Sequence, residues 1–183
     1  VQVRKSPEAL ALYAACVRLG AVFLPLNTAY TAAELDYFVG DAEPGLLVCD
    51  GSSEPVLRQV AGRHGAALET MNADGTGSLT DKALRAEPRA TVASRGAADL
   101  AAILYTSGTT GRSKGAMLSQ DNLLSNALTL KEYWRYGAGD VLLHALPIFH
   151  THGLFVATNT ILAARASMIF LPGFDADQVF RHL

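Results

Sequence analysis

Cysteine is scarce in this sequence, with only Cys16 and Cys49 among 183 residues. Both lie in apolar surroundings, and their spacing does not match any metal-binding pattern. We therefore expect no disulfide framework and interpret both thiols as small buried hydrophobic residues. The same scarcity makes a reducing cytoplasm the compartment that we predict.

Charge is also sparse, since charged residues make up 17% of the sequence and the formal net charge is -2. No basic stripe of the kind that nucleic-acid-binding proteins need is present, so nucleic acid is not an expected partner. Hydrophobic residues make up 50% of the chain, enough for a substantial core. An anionic ligand would have to be held by a local site.

Long hydrophobic runs are missing as well. Residues 153–173 are rather apolar, but Thr158, Asn159, Arg165 and Pro172 interrupt them. A membrane-spanning helix needs about 20 predominantly apolar residues, so we predict helix, turn and strand here and no membrane span. The sequence has no initiator Met or signal peptide and stops inside an apparent helix, so we expect both ends to be cuts.

Short apolar strands alternate with helices along most of the chain. Ser6 and Pro7 predict the start of one helix, and the capping-box pattern Thr31-Ala32-Ala33-Glu34 predicts the start of a second. We predict further helices over 54–64 and from Ser119, and one containing Phe155 and Ile161. The predicted strands are 1–3, 21–25, 45–49, 100–105, 140–146 and 168–171.

Helical crossovers between such strands indicate an α/β fold, with largely parallel sheets and helices on both faces. We divide the chain into a first α/β lobe (1–70), a variable surface segment (71–98) and a second lobe (99–183). The surface segment is polar and is expected to hold at most one short helix.

The segment from Tyr105 to Gly115 (YTSGTTGRSKG) is the most informative part of the sequence. Its glycines allow a tight turn whose N–H groups can point at one anion, and its hydroxyls add donors. Lys114 supplies a compact positive charge that suits phosphate oxygens. A polyphosphate cradle is the favoured interpretation, and an ordinary polar hairpin between two strands is the alternative.

Two common nucleotide-binding patterns do not match this loop. In a Walker A loop, two glycines are separated by four residues and the lysine precedes Ser or Thr. Here Gly108 and Gly111 are closer together, and Gly115 follows Lys114. A Gly-x-Gly-x-x-Gly fingerprint is also missing, which disfavours a dinucleotide fold.

The run from Tyr105 to Ser119 resembles the phosphate-loop signature of adenylate-forming enzymes, a superfamily of acyl-CoA synthetases, luciferases and peptide-synthetase adenylation domains. The resemblance extends over nearly the whole chain, including residues 19–27, and implies part of the large N-terminal domain of such an enzyme. It implies that a carboxylic acid is joined to ATP, with Mg²⁺, and that the acyl-adenylate is passed to CoA. The ATP β- and γ-phosphates would be held by Thr106, Ser107, Gly108, Thr109, Thr110, Gly111 and Lys114.

A second constellation, Pro147 to Gly153 (PIFHTHG), contains two histidines. A His-x-His pair could bind a metal, but no local carboxylate or cysteine completes the ligand set, and we predict no metal site. A structural loop whose histidines satisfy backbone groups is favoured for His152. The resemblance gives the third interpretation, because Pro147, His150 and Gly153 match a family segment beside the acyl substrate. His150 would then be catalytic, and Phe149 would form a wall of the substrate pocket, although an aromatic residue here could also belong to the core.

Within the superfamily, residues 145–159 and 26–30 look most like malonyl-CoA synthetases. The resemblance therefore implies malonate or methylmalonate as the acid, with acetate or a fatty acid as the alternative. The family's adenine-binding segment and mobile C-terminal domain have no counterpart in this chain, so we expect the isolated fragment to be inactive and poorly soluble. A non-catalytic nucleotide-binding module is the competing interpretation from another class.

Overall fold

A computed structural model describes residues 1–106 and 112–182. The α-helices are α1 (Pro7–Leu19), α2 (Ala32–Ala42), α3 (Glu54–His64), α4 (Ser78–Arg85), α5 (Gln120–Tyr133), α6 (Asn159–Ala164) and α7 (Ala176–His182). The strands are β1 (Leu46–Cys49), β2 (Ala67–Thr70), β3 (Leu100–Thr106), β4 (Lys114–Ser119), β5 (Val141–His144) and β6 (Ser167–Phe170). A 3₁₀ turn covers Gly51–Ser53, and a π-helix covers His152–Thr158.

Within the described residues the strands form three pairs. β1 and β2 are parallel and joined through α3, and β5 and β6 are parallel and joined through the π-helix and α6. β3 and β4 are antiparallel and form the arms of a hairpin. The mixed α/β architecture with mainly parallel strand pairs is therefore confirmed, with the hairpin as the exception.

The helix starts predicted at Ser6, Thr31 and Ser119 are confirmed. The Ser6 hydroxyl accepts a hydrogen bond from the backbone N–H of Ala9, and α1 ends at Gly20 with φ of 67°. At α2, the Thr31 hydroxyl accepts from the N–H of Glu34, and the Glu34 carboxylate accepts from the N–H of Thr31. This reciprocal pair satisfies two backbone N–H groups at the start of α2.

One hydrophobic cluster joins the two ends of the chain. It contains Ala9 and Tyr13 of α1, Ala102 of β3, and Leu154 and Phe155 of the π-helix. Its buried members are Val3, Ala9, Tyr13, Phe23, Val48, Met71, Ala102, Ile148, Leu154 and Phe155. A second cluster packs α2 and α3 against β1 and includes the buried thiol of Cys49. Both cysteines are free thiols, and Cys49 is buried as predicted, whereas Cys16 is only half-buried.

Three predicted elements differ in the structure. Residues 1–3 do not form a strand, and only Gln2 pairs, as an isolated bridge to Cys49. Residues 21–25 do not form a strand, and only Phe23 pairs, as an isolated bridge to Ala102. The N–H of Ala21 is already bonded to the Cys16 carbonyl at the end of α1, and Pro25 has no N–H, so neither can extend a ladder. The predicted helix around Phe155 begins as a π-helix and becomes α-helical only at Asn159.

The remaining segments agree with the sequence more closely. α4 is the short helix expected within residues 71–98, and none of its residues is buried. Helix α5 buries Ala127, whereas Trp134 at its end is 50% exposed. None of the helices described within 1–106 and 112–182 is both long and apolar enough to cross a lipid bilayer.

Candidate active site

The β3–β4 hairpin places Thr106 directly opposite Lys114, as the last pair before the loop. Side chains of directly opposed residues project from the same face of a strand pair. Both residues are exposed, so a hydroxyl and an ammonium group flank the mouth of the loop on one face. The remaining predicted phosphate-binding residues, Ser107, Gly108, Thr109, Thr110 and Gly111, lie outside the described residues.

Helix α2 supports both arms of this hairpin. The Tyr37 hydroxyl donates to the backbone carbonyl of Ser113 at 2.8 Å, and the Tyr105 hydroxyl hydrogen-bonds the Asp41 carboxylate. The Tyr37 and Tyr105 rings are 6.2 Å apart, and the Arg112 guanidinium lies 5.3 Å from the centre of the Tyr37 ring. Burial, reinforced by the bond to Asp41, raises the pKa of Tyr105, so its phenol stays protonated and acts as a donor.

His150 lies in the loop that follows β5, and its side chain is exposed. Its ring centre is 4.8 Å from that of Phe149. Phe149 is half-buried and lines a cavity of about 20 Å³ together with Val3 and Phe23. A cavity of that size holds about one water molecule, so this side of Phe149 faces the core and not a substrate-sized pocket.

Gly153 explains why this loop needs a glycine three residues after His150. A Cβ at Gly153 would lie 2.1 Å from the carbonyl oxygen of Pro147, a separation that no real Cβ can adopt. The loop backbone therefore closes on itself between Pro147 and Gly153. We call this close approach the neck of the loop, with His150 between its two ends.

His144 is a buried residue beside this loop that sequence reasoning missed. It is the last residue of β5, is only 1% exposed, and its Nε2 lies 2.8 Å from the Gly153 carbonyl oxygen. Its Nδ1 lies 2.9 Å from Lys5 Nζ. The sequence contains one signal for such a residue: the apolar run VLLH ends in a histidine just before the loop. A polar side chain buried in a strand needs hydrogen-bond partners.

His152 is exposed, and its side chain makes no hydrogen bond among the described residues. The histidine that satisfies a backbone group of this loop is therefore His144, not His152 as the sequence indicated. In the described part of the chain, no group of three or more His, Cys, Asp or Glu side chains is placed to hold a metal ion.

The structure thus brings the predicted residues together in two groups. Thr106 and Lys114 form one, at the mouth of the hairpin loop, and Phe149 and His150 form the other, beyond the end of β5. A large apolar groove of about 1010 Å³ lies elsewhere, between α1, α4, β1 and the start of β3. Neither Lys114 nor His150 lines that groove, so the groove is not evidence for where a reaction takes place.

Comparison with known proteins gives one family match, to a model described as AMP-binding enzyme, over residues 1–183. The chain is 32% identical over 170 residues to a malonate–CoA ligase of Arabidopsis thaliana, covering 88% of the chain and 27% of that ligase. It is 37% identical over 183 residues to an indoleacetate–CoA ligase of Aromatoleum aromaticum, covering 96% of the chain and 35% of that ligase. The chain therefore spans between about a quarter and about a third of these curated relatives.

Among solved structures, the chain is similar to ATP-bound MatB from Rhodopseudomonas palustris. The TM-score is 0.95 at 62% sequence identity, and the match covers 98% of this chain and 36% of that one. The apo form of the same protein matches with a TM-score of 0.94 at 61% identity.

Proposed function

The chain belongs to the AMP-binding enzyme family, and we propose that its full-length protein activates a small carboxylic acid with ATP and transfers the acyl group to CoA. The pairing of Thr106 with Lys114 carries this proposal, because it sets a hydroxyl and a fixed positive charge at the mouth of a glycine-rich loop. The similarity to ATP-bound MatB supports ATP as the nucleotide.

In the first half-reaction, a carboxylate oxygen of the acid attacks the α-phosphorus of ATP. The bond between the α- and β-phosphates breaks, and pyrophosphate leaves with its negative charge. Lys114 and the Thr106 hydroxyl are suited to the β- and γ-phosphate oxygens, where a charge-assisted hydrogen bond stabilises the leaving group. The loop residues Ser107, Gly108, Thr109, Thr110 and Gly111 would complete this cradle.

His150 is proposed to donate a hydrogen bond where negative charge gathers between the acid and the α-phosphate. Its exposure leaves the ring free to meet a ligand, and the Phe149 ring supports one side of it. In the second half-reaction the thiol of CoA attacks the acyl carbon, and AMP leaves. Mg²⁺ prefers oxygen ligands and is proposed to arrive on the ATP phosphates.

Malonate or methylmalonate is the acid that we propose. The match to a malonate–CoA ligase supports it, whereas the match to an indoleacetate–CoA ligase shows that similarity at this level spans different acids. A second carboxylate needs a positive partner, and the chain offers His150 and the exposed Arg165. Because the chain spans only about a quarter to a third of these relatives, we expect it to be inactive in isolation.

The test is acid-dependent exchange of labelled pyrophosphate into ATP, measured on the full-length protein with malonate, methylmalonate, acetate and octanoate. We expect exchange with malonate to exceed exchange with octanoate at least about 10-fold, a difference of roughly 1.4 kcal/mol in transition-state binding. Lys114→Ala should weaken exchange about 100-fold. Lys131→Ala, which removes a lysine of α5, is the matched control and should leave exchange unchanged.

Each other outcome has a defined meaning. Exchange with acetate or octanoate alone would retain acid activation and reject malonate. Folded protein that binds ATP but exchanges pyrophosphate with no acid would instead indicate a non-catalytic nucleotide-binding module.

A further inference from the structure

His144 makes hydrogen-bond contacts through both nitrogens of its ring. Nε2 lies 2.8 Å from the Gly153 carbonyl oxygen, and Nδ1 lies 2.9 Å from Lys5 Nζ. A carbonyl oxygen can only accept, and a lysine ammonium group can only donate. The partners therefore assign hydrogen to Nε2 and a lone pair to Nδ1, which makes the imidazole neutral.

The surroundings of His144 keep the ring in that state. Burial lowers the pKa of His144 below its ordinary value of 6.5, and the adjacent Lys5 ammonium lowers it further. Protonation would also place a hydrogen on Nδ1, facing the ammonium group of Lys5. His144 thus acts as a fixed donor and not as an acid or base of the reaction.

The group that His144 holds is the neck of the histidine loop. The Gly153 carbonyl oxygen accepts a second hydrogen bond, at 2.9 Å, from the Thr158 hydroxyl. Thr158 lies five residues further on, within reach because this turn is a π-helix. Gly153 itself is packed against the Pro147 backbone, so fixing its carbonyl also fixes where the loop starts.

His150 lies between the two ends of this closed loop. Its backbone carbonyl accepts from the N–H of Leu154 at 3.0 Å, which ties it to the residue after Gly153. Its exposed ring contacts Phe149. The direction of the His150 ring therefore depends on the backbone at the neck.

Lys5 connects the neck to the first lobe. Its Nζ donates to the His144 backbone carbonyl at 2.6 Å as well as to Nδ1, and lies 4.3 Å from the centre of the Phe170 ring. Lys5 directly precedes Ser6, which caps α1, so its backbone is anchored at a helix start. Burial lowers its pKa to about 8, which still leaves it mainly charged at neutral pH.

We propose that His144, oriented by Lys5, is a positioning residue that fixes the Gly153 neck and thereby directs the His150 ring at the reacting carboxylate and phosphate. This inference rests on the proposed function for the role of His150. A side chain that only filled space at the end of β5 would not need hydrogen-bonding nitrogens. In His144 both ring nitrogens have partners, and these partners fix one tautomer.

The first test is a double-mutant cycle in the full-length protein, measured by pyrophosphate exchange. His144→Leu should lower kcat about 10-fold to 100-fold, because a small displacement of a catalytic group costs that much. The KM for ATP should change less than about 2-fold, since the proposed phosphate site lies on β3 and β4 and not on β5. In a His150→Ala background, His144→Leu should have almost no further effect.

His144→Gln provides the matched rescue, because the glutamine amide can donate to the Gly153 carbonyl in place of Nε2. It should recover most of the kcat that His144→Leu loses. The inference would be overturned if His144→Leu lowered kcat by the same factor in the wild-type and His150→Ala backgrounds. Failure of His144→Gln to exceed His144→Leu in folded protein would do the same.

A second measurement keeps the inference separate from the proposed function. Histidine-selective ¹⁵N NMR of the full-length protein reports ring states whether or not any acid is activated. We expect His144 as the Nε2–H tautomer, and His150 resonances that shift in His144→Leu but not in His144→Gln or the surface control His64→Gln. If the His150 resonances did not shift in His144→Leu, the positioning role would be refuted. If the wild-type protein showed no pyrophosphate exchange, only the proposed function would be refuted.

Discussion

The Tyr37 hydroxyl of α2 donates to the Ser113 carbonyl at 2.8 Å, directly before Lys114. This bond joins a helix of the first lobe to the backbone that carries the proposed phosphate-binding lysine. The position of Lys114 is thus determined partly by a residue that is distant in sequence.

Tyr37→Phe removes only this hydroxyl. Loss of one hydrogen bond costs about 0.5–1.5 kcal/mol, so the KM for ATP should rise roughly 2-fold to 10-fold as the backbone before Lys114 loosens. The ATP dependence of pyrophosphate exchange in the full-length protein measures this. Tyr30→Phe is the control, because the Tyr30 hydroxyl has no hydrogen-bond partner among the described residues and its ring packs on the same Phe38. An equal rise in both variants would contradict the role of the Ser113 contact.

Gly153→Ala should destabilise the protein strongly. The added Cβ would meet the Pro147 carbonyl oxygen at 2.1 Å, and the backbone must move to relieve that contact. We expect a loss of about 2–3 kcal/mol in the free energy of unfolding and a lower melting temperature. Gly62→Ala in α3 meets nothing within 4 Å and should instead stabilise the protein by about 0.5–1 kcal/mol. A Gly153→Ala protein as stable as Gly62→Ala would show that the neck is not closed.

Stability should decline with acid in a way that depends on His144. Its pKa is lowered in the folded state, so the unfolded chain binds a proton more readily as the pH falls below the ordinary value of 6.5. The stability that the neutral ring provides is fully present above that pH and decreases below it. His144→Gln does not titrate, so its unfolding free energy should change less between pH 7 and pH 5. Parallel pH profiles for wild type and variant, followed by urea unfolding, would contradict the assignment of a neutral ring.

Thr31→Ala should weaken the start of α2 and therefore the support of the hairpin. It removes the hydroxyl that accepts from the Glu34 N–H, and the loss of such a cap costs about 1 kcal/mol. Hydrogen exchange at the Glu34 amide should become faster, as read by mass spectrometry of peptides from α2. Thr28→Ala, at an exposed threonine outside the helix, should leave that rate unchanged.

Helix starts could be predicted from the sequence because their determinants are local. Ser6 with Pro7, and Thr31 with Glu34, contain within four residues every group that their caps use. The pair formed by Thr106 and Lys114 was also within reach, since a glycine-rich turn between apolar runs is typical of a hairpin. The roles of Lys114, His150 and Phe149 remain predictions.

His144 was not predicted because its partners come from separate parts of the chain. Lys5 lies 139 residues before it and Gly153 nine residues after it, and no sequence period connects the three. The same holds for Tyr37 and Ser113, which are 76 residues apart. The strand expected over 21–25 does not form for a related reason. The N–H of Ala21 is already bonded to a carbonyl at the end of α1, which the local sequence does not reveal.

The pairing of Thr106 with Lys114 has a practical consequence for engineering. The chain enters and leaves the intervening segment, residues 107–113, at neighbouring positions of one ladder. We therefore expect that segments of other lengths can be exchanged between these two anchor points without changing the register of β3 against β4. The proposed nucleotide-contacting segment is thus separable from its support, because the contact of Tyr105 with Asp41 of α2 lies outside it.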